Sequence, residues 1–130
     1  MSLMERVQNI KVNTERVERL ERQIDAEVRI LSGYSLLSSE RRFPGSQAVL
    51  ELIHDYVDAY EGSVTTGNPG LITDKQDAED IRKELVSKNY YTEETFAKDF
   101  TKLHQLIADR VKLEKQIEAD DAILKEVTGR

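Results

Sequence analysis

Between Leu3 and Leu31 the chain repeats at alternating four- and three-residue steps: Leu3, Val7, Ile10, Thr14, Val17, Glu21, Ile24, Val28 and Leu31. Most of these positions are apolar. A period near 3.5 keeps one stripe on one face of a helix, so the segment has to pack lengthwise along another helix. Leu20 and Ile30 lie beside the stripe and widen it, which predicts more than one neighbour rather than a strict two-stranded coiled coil. Glu15 with Arg19, Glu18 with Arg22 and Asp25 with Arg29 each set an acid four residues ahead of a base, the order that supports an exposed helical face. Thr14 and Glu21 interrupt the stripe. A polar residue there penalises wrong alignments and so selects register or partner; the edge of a loosely packed bundle accommodates it equally.

The far end of the chain carries a counterpart. Phe96, Phe100, Leu103, Ile107 and Val111 stripe the first half of a helix predicted over 93–128, and Leu106, Leu113, Ile117 and Leu124 carry a rotated stripe through its second half. Such a helix changes neighbours along its length. Thr92 is its predicted N-cap, with Glu93 and Glu94 in the first turn, where negative charge offsets the helix dipole. At 1.5 Å per residue it runs about 50 Å.

Ser32-Gly33 closes the first helix, predicted over 1–32, because Gly33 tolerates the left-handed conformation of a C-terminal cap. One short helical turn is expected around Leu36 and Leu37. Ser46 then N-caps a second helix over 46–61, whose Val49, Leu50, Leu52, Ile53, Tyr56, Val57 and Tyr60 place it at the centre of the core. Gly62 to Leu71 combines glycines with Asn68-Pro69 and reads as a flexible connector over 62–72. Thr73 and Gln76 read as a capping box opening a third helix over 73–88, on which Ala78, Ile81 and Leu85 share a face. The predicted fold is a single all-α domain, an elongated bundle or helical hairpin with two long, coiled-coil-like terminal helices and two shorter central ones. An antiparallel pairing of the long helices, with the central ones as a head, satisfies the stripes. So does a dimer.

Charge and composition narrow the function. The content of 38% hydrophobic and 34% charged residues describes a thin core. The absence of cysteine excludes disulfides, thiolate zinc sites and cysteine nucleophiles. Met1 to Ile10 has no signal-peptide core and no run is long and apolar enough for a membrane span, so a soluble cytoplasmic or otherwise intracellular protein is expected. The net charge of −6 is uneven: residues 1–50 hold eight bases and seven acids, and residues 95–130 hold seven of each. Nearly all the excess therefore lies in the middle, which argues against a nucleic-acid ligand, since phosphates require a basic face. The acidic middle reads as a solvated surface or as a field steering a basic partner.

Enzyme signatures are missing. His54-Asp55, and His104 with Asp109, lack the spacing of a metalloprotease helix. Gly33-Tyr34-Ser35-Leu36-Leu37 is one glycine short of a nucleophile elbow, and no Walker lysine follows Gly67-Asn68-Pro69-Gly70. Asp77, Glu79 and Asp80 stand in a helical pattern, not a calcium loop. No catalytic residue, cofactor site or metal ligand is predicted. Tyr90-Tyr91 reads as a plug at a helix junction or as a binding hot spot.

Ile10-Lys11-Val12, Thr14, Val17 and Arg19-Leu20 resemble the opening of the tubulin-binding cofactor A family, small three-helix proteins that hold folding tubulin. The resemblance is confined to that stretch, and the Gly- and Pro-rich segments Phe43 to Ser46 and Gly62 to Gly70 depart from so compact a pattern. It implies a helical chaperone that holds a client subunit reversibly. The residues themselves point first to a non-enzymatic interaction module, an adaptor or assembly subunit. Its expected seam is Val7, Ile10, Val17, Leu20, Ile24, Leu106, Leu113, Ile117 and Leu124, engaging helices of a partner protein or of a second copy.

Overall fold

The computed structural model describes residues 2–33, 46–65 and 72–127. Among these described residues are five helices and no strand: α1 (Leu3–Leu31), α2 (Ser46–Thr65), α3 (Ile72–Ser87), α4 (Glu93–Asp99) and α5 (Thr101–Val127). The predicted all-α architecture is therefore observed.

Both ends of α1 have a local cause. The Ser2 hydroxyl accepts the Glu5 amide at 3.1 Å and so caps the start. At the other end Gly33 sits at φ 83°, its amide bonded to the Ile30 carbonyl at 3.1 Å, while the Ser32 amide reaches Val28 at 2.9 Å. A side chain would strain that left-handed residue, which is why the Ser-Gly pair stops the helix.

α1 and α5 lie antiparallel. Arg6 meets Asp120 at 2.9 Å near one end of the pair, and Glu27 meets Lys102 at 3.9 Å towards the other. α2 and α3 pack on each other and α2 lies on α5, where Arg110 forms an ion pair with Glu61. The core joins Ile24, Val28 and Leu31 of α1, Val49, Ile53, Tyr56 and Val57 of α2, Leu85 of α3, Phe96 of α4, and Leu103, Ile107 and Val111 of α5. Each such side chain stabilises the fold by about 1.5–3 kcal/mol. Its buried residues come from α1 only between Ile24 and Leu31 and from α5 only as far as Val111. The molecule is thus a head at one end and a two-helix stalk at the other.

Several boundaries differ from the sequence reading. α2 does not stop at residue 61 but runs through Gly62 to Thr65. A helical glycine costs about 1 kcal/mol, but Val64 packs against the core and the Ser63 hydroxyl bonds the Tyr60 carbonyl at 2.8 Å, which offsets it. Ser46 is the first residue of α2. α3 begins at Ile72, so Thr73 stands inside it rather than capping it, and the Gln76 amide reaches Asp80 at 2.8 Å instead. Of the connector predicted over 62–72, residues 66–71 lie outside the described residues, as do the turn at Leu36 and Leu37, Ser35 after Gly33, and the glycine-bearing segment around Asn68.

The long helix predicted over 93–128 is divided at Phe100, which has φ −86° and ψ −3°. The Thr101 hydroxyl bonds the Ala97 carbonyl at 2.9 Å, a back-bond that bends helices. Phe96 and Phe100 stack across the break at 4.0 Å, and Tyr56 and Tyr91 meet Phe100 edge-on at 5.6 and 5.2 Å. Thr92 caps α4 as expected, in a reciprocal box with Thr95.

Candidate protein-interaction surface

The structure divides the expected seam in two. Val17 and Ile24 are buried inside the chain, 8% and 4% exposed, and Leu106 packs against the head core. Ile10, Leu20, Leu113, Ile117 and Leu124 are half-buried along the stalk, while Val7 is 53% exposed. The register anchored by Arg6 and Asp120 sets Ile10, a turn inward on α1, level with Ile117, a turn inward on α5. Two helices alone leave part of each apolar stripe uncovered, as the exposure of Val7 and the half-burial of Ile10, Leu20, Leu113, Ile117 and Leu124 show. At the stalk tip Leu3, Met4 and Val127 are exposed as well. Met4 stands off the heptad positions and lies outside the expected seam.

A groove of about 540 Å³ runs between the stalk helices. Arg16, Arg19, Leu20 and Gln23 form its α1 wall, and Asp109, Lys112, Leu113 and Gln116 form its α5 wall. Both walls repeat the same spacing, i, i+3, i+4, i+7, so each is a straight stripe of one helix. Leu20 and Leu113 are its apolar lining. Arg16, Arg19 and Lys112 are exposed and form no ion pair among the described residues. Asp109 accepts a hydrogen bond from Gln105 at 2.9 Å. Sequence reasoning named the two leucines and missed the cations. Their signal was a base directly preceding each leucine, Arg19-Leu20 and Lys112-Leu113.

The acidic middle of the sequence gathers between α2 and α3. Asp55, Asp58, Asp77 and Asp80 line a second concavity of about 440 Å³ together with Ala59 and Ile81. Among the described residues no group of three or more His, Cys, Asp or Glu side chains is placed to hold a metal ion.

His104 belongs to the head. Its Nε2 lies 2.7 Å from the Tyr56 hydroxyl, and Tyr60 stacks on its ring at 4.3 Å. Burial holds the imidazole below its ordinary pKa and pushes the Tyr56 phenol well above its own. A neutral imidazole and a protonated phenol share this hydrogen bond, with the donor set by which ring nitrogen carries the proton. His54 is exposed on α2.

Tyr90 and Tyr91 sit where α3 turns into α4. Asn89 takes the left-handed conformation at φ 62°, and the amides of both tyrosines return to the Leu85 carbonyl at 3.1 and 3.3 Å. The Tyr91 hydroxyl donates to the Leu31 carbonyl at the end of α1. Its ring also meets Phe96 edge-on at 6.3 Å. Both tyrosines are half-buried against the core, and Tyr91 links the α3–α4 turn to the end of α1. Arg82 adds a tie from α3 to α4 by pairing with Glu79 and Glu93.

Among the described residues no helix is long and apolar enough to cross a membrane. The five helices also differ from the three-helix pattern that the local resemblance of α1 implies. Compared with family models, curated proteins and solved structures, the chain matches none.

Proposed function

We propose that this chain is a non-enzymatic helical interaction module, an adaptor or assembly subunit that docks its α1–α5 stalk onto a partner protein. The observation that carries this reading is the division of the seam. The head encloses a continuous core and leaves Ile30 as its one large exposed apolar side chain among the described residues, whereas Val7, Ile10, Leu20, Leu113, Ile117 and Leu124 all keep exposed area along the α1–α5 pair, where no third described helix contributes to the buried core. An added helix removes that area from water at about 25 cal/mol per Å².

The test is affinity capture by the tagged chain from its native extract, with mass spectrometry, and hydrogen exchange on the resulting complex. A stoichiometric partner that protects amides in 3–20 and 113–127, and that is lost with Val7→Asp, supports the module. Val7 is the informative site because its exposure lets an aspartate be accepted without unfolding. A complex that protects only the head, or one indifferent to Val7→Asp, refutes it.

A further inference from the structure

Resting on that reading, we propose that the groove between α1 and α5 binds an acidic amphipathic helix of the partner protein. Each wall spans eight residues, about 10 Å or two turns of helix. Because both walls are single stripes of antiparallel helices, and the Arg6–Asp120 register sets Leu113 level with residues 13–14 of α1, a third helix laid along them places residues nearly two turns apart over Leu20 and Leu113. The volume of about 540 Å³ accepts such apolar side chains.

Charge selects the flanks of that helix. Arg16, Arg19 and Lys112 rim the groove without an ion pair among the described residues, and against these three cations the described lining carries one carboxylate, Asp109, bonded to Gln105, which leaves the groove net positive. Glutamates beside the apolar knobs meet these cations, while lysines there meet their own sign. Exposed ion pairs contribute little each, so the cations steer and discriminate while the leucines hold.

Other occupants fit less well. Two copies joined face to face through this groove set Arg16, Arg19 and Lys112 against the same residues. The acidic surface a second copy offers, at Asp55, Asp58, Asp77 and Asp80, is itself a concavity of about 440 Å³, and two concavities do not interdigitate. A nucleic acid meets cations over only two turns, on a chain whose net charge is −6.

The experiment titrates the ¹⁵N-labelled full chain with two synthetic amphipathic helices of about five turns, long enough to be helical. Both carry one leucine stripe, flanked by glutamate in one peptide and by lysine in the other; a duplex oligonucleotide is the third probe. The glutamate peptide is expected to shift amides of residues 16–23 and 109–116 saturably, with affinity falling about tenfold from low to high salt, and the lysine peptide is not. Arg16→Glu/Arg19→Glu/Lys112→Glu, which alters only exposed positions, reverses that preference with helicity unchanged. The proposal is overturned if the glutamate peptide leaves the groove unshifted, or if the oligonucleotide binds there in preference. It is overturned equally if charge reversal dissolves a self-associated form of the chain. A captured partner that protects the stalk while the glutamate peptide fails removes the acidic-helix assignment and leaves the module standing; absence of stalk protection removes both.

Discussion

The Asp120 carboxylate, 1% exposed, lies 2.9 Å from the Arg6 guanidinium across a sequence separation of 114 residues. Gln116 shares it at 3.3 Å. A desolvated carboxylate is tolerable only when paired, so a hairpin slipped by one turn strands it. The pair therefore specifies the alignment of α1 against α5.

Removing one member should cost more than removing both. Arg6→Met is expected to destabilise the fold by about 2–3 kcal/mol in urea titration, less than for a wholly buried pair because Arg6 retains 23% exposure. Arg6→Met/Asp120→Leu should recover most of that loss. A double variant as unstable as the single one disproves the argument.

Acid should weaken the head before it titrates the surface carboxylates. His104 is held below its ordinary 6.5, so the unfolded chain binds a proton there that the folded chain refuses. Its stabilising contribution is present above about pH 6.5 and is lost as pH falls below that value, with a slope of at most about 1.4 kcal/mol per pH unit. His104→Gln, which still reaches Tyr56 but does not titrate, should flatten the stability profile between pH 7 and the carboxylate range.

Phe100 is fully buried at the α4–α5 break, under Tyr56, Tyr91 and Phe96. Phe100→Ala is expected to cost about 3–5 kcal/mol in chemical denaturation, whereas Ile53→Val, equally buried but losing one methyl, should cost about 1 kcal/mol. Equal losses would mean that the aromatic cluster adds nothing special.

Two glycines should respond oppositely to alanine. Gly62 is helical within α2, so Gly62→Ala should raise stability by about 0.5–1 kcal/mol. Gly33, at φ 83°, should lose about 1 kcal/mol with the same change. Thermal melts of both variants read the sign directly.

How far the fold was legible follows from what each feature depends on. The 4/3 stripe, the Ser32-Gly33 stop and the Thr92 cap are local, and a chain that places them within a few residues of one another declares its helices. The break at Phe100 has no glycine or proline to announce it; it comes from rings brought in by α2 and the Tyr91 turn. Asp120 stands beside Asp121 on a charge-laced helix and reads like any solvated acid until Arg6 arrives from the opposite terminus. Of the three pairs spaced acid-to-base by four, Asp25–Arg29 closes at 3.2 Å on an exposed face, while Glu15–Arg19 and Glu18–Arg22 form no ion pair among the described residues, so spacing alone did not decide which would close. The groove was half legible: Leu20 and Leu113 fall on helical stripes, but which cations rim them depends on the rotation of α1 against α5.

The antiparallel stalk also has a mechanical consequence. Leu3 and Val127 lie at the same end, just beyond Arg6 and Asp120, so tension applied between them pulls the two helices apart from the tip. Side-chain layers then separate in succession, as in opening a zipper, and the load never falls on the whole length in shear. The Arg6–Asp120 clasp is among the first layers to feel it, and the aromatic head among the last.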